Sequence, residues 1–143
     1  MRASFFVFMI AFLSGRLSLN FGKETSTTTP SDADVKRYRA ETYLKESLKI
    51  SPLGLDVIVG IDRSVHFKFK AHTNNVRDVF APKIDTSLFS ARDVSPYRKL
   101  SWWNPPKKGF GGQVTMAPGR HMNVFYVNNV DKTITFWIHW FES

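Results

Sequence analysis

Val65, Phe67, Phe69 and Ala71 alternate with His66, Lys68, Lys70 and His72. A strict two-residue period of this kind marks a strand with one apolar and one cationic face. Just before it, Leu55, Val57, Val59 and Ile61 alternate with Asp56, Ile58 and Gly60, and Asp62-Arg63-Ser64 supplies a turn between the two runs. So short a gap predicts a hairpin. Further upstream the period lengthens. Ala33, Ala40, Leu44 and Leu48, with Tyr43, recur at helical spacing; Ser31 and Asp34 fit a capping box, and Pro52 and Gly54 end the run. These signals predict a helix over residues 32–50 whose stripe faces the core.

The C-terminal part reads as three strands, 113–117, 121–128 and 133–141, separated by Pro118-Gly119 and by a turn over 129–132. In the last, Ile134, Phe136, Ile138 and Trp140 share one face, while Trp137, His139 and Phe141 lie on the other. Large apolar groups on both faces place this strand at the centre of the sheet or under cover on both sides. Residues 73–80 read as a short helix capped by Thr73 or Asn74. Residues 81–106 read as mostly irregular, and Gly109, Gly111 and Gly112 continue the loop. The expected fold is α+β: an N-terminal helix packed on a mostly antiparallel sheet of about five strands, in a single domain over 32–143.

Two segments precede that domain. Residues 23–31 are polar and rich in Thr and Ser, and read as a linker. Before them Arg2 precedes an apolar run over 3–13, broken only by Ser4. That run is too short to span a bilayer, which takes about 20 apolar residues, and it matches the apolar core of a secretory signal peptide. Gly15 and Gly22 are weak cleavage candidates. Leu13-Ser14-Gly15 begins like a bacterial lipoprotein box, but Arg16 stands where the lipid-bearing Cys belongs. The expectation is a signal-peptide-like segment over 1–22 and a secreted or periplasmic, envelope-facing protein. An uncleaved anchor with membrane contact through residues 3–13 is the next reading.

Composition narrows the chemistry. The 143 residues include no Cys, which excludes disulfides, thiolate metal sites and a Cys nucleophile. Aromatic residues make up 15%, enough to build a packed core in a small domain without staples. His66 and His72 share a strand face but stand roughly 20 Å apart and cannot hold one ion. A histidine site would have to join strands, for example His66 with His139. No G-x-S-x-G is present, and the acids Asp56, Asp62, Asp78, Asp85, Asp93, Asp131 and Glu142 show no paired arrangement. Lys107-Lys108 before Gly109-Phe110-Gly111-Gly112 lacks phosphate-loop spacing, and a strand follows where a helix is needed, so this segment reads as a flexible turn. No catalytic residue, metal ligand or cofactor is assigned, and a non-enzyme is expected.

The net charge of +8 changes the picture more. Lys68 and Lys70 share a strand face, and Arg98, Lys99, Lys107 and Lys108 bracket Trp102 and Trp103. Trp102, Trp103, Lys68, Lys70, Lys107 and Lys108 therefore form the candidate ligand surface. Cations beside aromatics suit an anionic envelope polymer, a glycan or another envelope protein. In a cytosolic protein they suit single-stranded nucleic acid. The segment Ser101-Trp102-Trp103-Asn104-Pro105-Pro106 reads in two ways: as a plug over the end of the sheet, the preferred reading, or as the lining of a groove.

The strand over 61–70, then Asp78-Val79-Phe80, then Trp102-Trp103-Asn104-Pro105 and a terminal hairpin, together resemble the layout of small uncharacterised bacterial exported proteins with an x-F-x-F strand and a W-W-x-P element. The resemblance covers 55–141. It implies an exported α+β protein acting as a small binding or accessory module, and it implies no site residues.

Overall fold

A computed structural model describes residues 22–94 and 99–143. Seven strands pair in one antiparallel sheet: β1 (Lys23–Thr27), β2 (Ile50–Val59), β3 (Arg63–Ala71), β4 (Ser90–Asp93), β5 (Lys108–Ala117), β6 (Arg120–Asn128) and β7 (Ile134–Glu142). Their spatial order is β1-β2-β3-β7-β6-β5-β4. Two meanders, β1 to β3 and β4 to β7, thus join where β7 pairs with β3. A single helix among the described residues, α1 (Asp32–Glu41), lies between β1 and β2 in the chain.

The expected five strands led by a helix are therefore corrected to seven strands, with a strand before the helix. Both additional strands are edges. β1 falls in the segment read as linker and pairs with β2 from Lys23↔Val59 to Thr27↔Leu55. β4 falls in the stretch read as irregular and pairs with the start of β5. Short, polar edge strands are held by backbone hydrogen bonds with little side-chain burial, so neither carries an apolar alternation to be read. Lys108 to Gly112, read as a flexible turn, is the start of β5. A Cβ on Gly111 would stand 1.9 Å from the Val124 carbonyl oxygen of the neighbouring strand, so glycine there serves close backbone packing.

The helix is shorter than its stripe implied. Ser31 caps it, accepting from the Asp34 amide at 3.2 Å and donating to the Asp34 carboxylate at 2.7 Å. At the other end Tyr43 takes a left-handed φ of 56°. The Leu44 amide bonds back to the Arg39 carbonyl and the Tyr43 amide to that of Ala40, the pairing of a Schellman closure with tyrosine in the usual glycine position. Arg39 then gathers the carbonyls of Lys45, Glu46 and Leu48 at 2.7–3.0 Å, satisfying the turn beyond the helix. Leu44 and Leu48 are buried as expected, from a turn and not from a helix. Pro52 and Gly54 lie inside β2, at a break in its register with β3, where a missing N–H is tolerated. The short helix expected near residue 76 is a single 3-10 turn, Val76–Asp78, with Asn75 as its cap.

The first face of the sheet carries the main core. Val65, Phe67, Phe69 and Ala71 of β3 meet Ile134, Phe136, Ile138 and Trp140 of β7, flanked by Leu55 and Val57 of β2 and Met122, Val124 and Tyr126 of β6. Tyr38 of α1, Leu44, Leu48, Val79, Phe80 and Ile84 cover them. Arg63 ties the helix down: it pairs with Glu41 and stacks over Trp140 at 4.8 Å. Among the described residues no helix is long and apolar enough to cross a membrane; the apolar run over 3–13 lies outside them.

Candidate functional site

The second face of the sheet carries the unusual chemistry. Strand register aligns Ser26 with Asp56, Asp56 with His66, His66 with His139, His139 with Asn123, and Asn123 with Gln113. A polar row therefore crosses six strands. Its two ends, Ser26 and Gln113, are exposed, while Asp56 is fully buried and His66 nearly so. His66 Nδ1 stands 3.5 Å from Asp56 Oδ2. The His66 and His139 rings are parallel, with centroids 4.3 Å apart, and His139 Nε2 shares a hydrogen bond of 2.9 Å with Ser64 Oγ.

Burial disfavours charge along this row. It pushes the Asp56 carboxyl up to about 6, helped by Glu24 and opposed by Lys99. It pushes His66 down to about 3, helped by the neighbouring His139, and lowers His139 in the same direction. Neither carboxylate oxygen of Asp56 receives a hydrogen bond from a described residue. Buried groups whose pKa values are displaced in this way concentrate at functional sites.

The Trp102–Trp103 segment roofs the row. Trp102 is half-buried over β2, where a Cβ on Gly54 would come within 2.3 Å of its ring, and its Nε1 donates to Ser26 Oγ of β1 at 3.3 Å. Trp103 is buried, stands edge-on to His66 at 4.9 Å, and packs with Leu100, Phe125 and Trp137. Lys68 fastens the roof, donating to the Trp102 carbonyl at 3.0 Å and to Asn104 Oδ1 at 2.7 Å, with its ammonium 5.2 Å from the Trp137 ring centroid. Burial lowers its pKa.

The six residues of the sequence-derived surface therefore occupy three places. Trp102, Trp103 and Lys68 are roof and fastening. Lys70 pairs with Asp131 at 3.5 Å. Lys107 and Lys108 are exposed at the β4–β5 edge, where the Lys107 carbonyl accepts from the Val94 amide. His72 is apart from the row, bonded to Ser51 Oγ at 2.8 Å. Among the described residues no three His, Cys, Asp or Glu side chains are placed to hold a metal ion.

A cleft of about 270 Å³ opens beside the roof, lined by Arg92, Asp93, Trp103, Asn123, Phe125, Trp137 and His139 among others. His139 and Asn123, half-buried members of the polar row, thus form part of its wall. Trp137 is 5% exposed and its Nε1 has no hydrogen-bond partner among the described residues. The sequence pattern marks neither Arg92, Asn123 nor Phe125 for this role, and it places Asp56 in the alternating strand among acids with no paired arrangement. The one legible signal was a carboxylate inside an apolar strand. Compared with known proteins, the chain matches no family model, no curated protein and no solved structure.

Two outcomes follow from the roof and the row. Trp103→Ala removes a buried indole, and urea denaturation should show a loss of about 3–5 kcal/mol, with a smaller loss for the half-buried Trp102; a loss below about 1 kcal/mol for Trp103 contradicts the roof. For Asp56, the raised pKa means that the stability associated with its proton is present below the ordinary carboxylate range and lost as pH rises through about 6. Asp56→Asn should therefore stabilise the protein by about 2–3 kcal/mol near pH 8. That gain should shrink as the pH falls and vanish below about pH 4. A destabilised variant at the higher pH contradicts an unfavourable buried carboxylate.

Proposed function

We propose that this protein is an exported, envelope-facing binding module without catalysis, and that it seats a ring-bearing ligand, a glycan, in the cleft beside the Trp roof. The observation that carries this reading is the cleft wall. Trp103, Trp137 and Phe125 line it with aromatic carbon, and Asn123 and His139 place hydrogen-bonding groups beside them. Sugar rings present apolar faces bordered by hydroxyls, and a concave site of aromatic walls with few polar groups suits them.

Two features support binding over turnover. Ser64 bonds to His139, whereas Asp56 stands beside His66. A nucleophile–base–carboxylate relay needs one imidazole between the two, and here the partners are divided between two stacked rings. Export is supported by Arg2 and the apolar run over 3–13.

Intact mass and fractionation of a C-terminally tagged protein in a native-like host should show a product outside the cytoplasm that lacks about the first 15–22 residues. Titration with neutral and acidic oligosaccharides should shift the indole fluorescence, and Asn123→Ala should weaken the response. A full-length cytosolic product that ignores saccharides and retains single-stranded oligonucleotide, with steep salt dependence, would replace this reading with nucleic-acid binding.

A further inference from the structure

The charge balance of the cleft narrows the ligand. Arg92 is its one fixed cation among the described lining residues, and the adjacent Asp93 also lines it. The two offset each other, so at neutral pH the cleft has no net charge with which to hold an anion. His139 is the remaining lining group that can change this. Its Nε2 is engaged with Ser64 Oγ, and its ring is stacked on His66.

Resting on the glycan reading above, we propose that the cleft takes an acidic sugar ring, its carboxylate held by Arg92 and His139, and that binding draws one proton from solvent onto His139. The proton has a place to go. In the imidazolium both ring nitrogens donate; one stays committed to Ser64 Oγ and the other donates to the ligand carboxylate. The ligand's charge then compensates the burial that keeps His139 neutral in the free protein. Binding and protonation each favour the other by the same factor.

The groups facing His139 fit this division. On β3 they are Ser64 and His66; on β6, Asn123, with His121 one row away; on β7 itself, Phe141; Arg92 and Asp93 of β4 and Trp103 of the roof line the same cleft. His66 opposes a charge on His139 but is backed by Asp56, itself flanked by Glu24 and Lys99. Lys68 lies over the Trp137 ring, held by the roof. Within this set His139 is the imidazole that forms part of the cleft wall.

Calorimetry with the full protein tests the proposal, using galacturonate oligomers and the matching neutral galactose oligomers at about pH 5 and about pH 7.5. The uronate stays ionised at both, its pKa lying near that of an ordinary carboxyl, about 4. The acidic oligomer should bind at least about tenfold tighter at the lower pH, with close to one proton taken up when buffers of different ionisation enthalpy are compared. The neutral oligomer should bind weakly and without pH dependence. His139→Gln keeps a hydrogen-bonding group and should abolish the proton uptake. Asp93→Asn should tighten binding of the acidic oligomer near pH 7.5, and Arg92→Gln should weaken it while leaving the proton uptake in place. Equal or tighter binding of the neutral oligomer overturns the acidic-ligand proposal and leaves the glycan reading standing. Undiminished proton uptake in His139→Gln overturns the role of His139. No binding of either oligomer overturns both the proposal and the reading beneath it.

Discussion

The ammonium of Lys68 connects the Trp loop to the sheet, and the arrangement of the second face depends on that connection. A sheet packed on one side only can leave its other face in water, and the cationic alternation of β3 belongs to such a face. Here the lysine turns its charge to the Trp102 carbonyl and the Asn104 side chain. Hydrogen bonds from a charged donor contribute about 1.5–3 kcal/mol each, enough to hold a loop whose indoles then bury their own area. Trp103, in the loop so held, packs against His66, Phe125 and Trp137.

Roofing has a cost. It keeps Asp56 and His66 from water and half-buries His139, and each departs from its ordinary pKa in the direction that burial dictates. A purely structural second face would be served better by apolar residues in these positions. Instead a polar row crosses the sheet, and two of its members, His139 and Asn123, line a cleft beside the roof. Trp103, which covers the row, also forms part of the aromatic wall of the opening, so packing and the proposed binding site share that residue.

How much of this the sequence disclosed depended on whether the information was local. The β2–β3 hairpin, the central position of the last strand and the Ser31 cap follow from short-range pattern, and the coordinates agree. The edge strands β1 and β4 bury little and left no pattern. The helix end depends on Tyr43 adopting a left-handed backbone, which tyrosine does not announce. Lys68 reads from the sequence as part of a ligand surface, whereas its ammonium bonds within the protein to partners 34 and 36 positions away, which no local pattern discloses. The row from Ser26 to Gln113 requires the register of six strands, though His66 and His139 stand out in the sequence as a pair that could meet only across strands, as they do.

Histidine ring NMR across a pH titration tests the roofed polar row most directly. If the Trp loop keeps the second face from water, His66 stays neutral well below the ordinary histidine range, titrating at about pH 3 if the fold survives that far. A His66 that takes up its proton near the unperturbed value of about 6.5 would mean that water reaches the row, and the account of a roofed second face would be wrong.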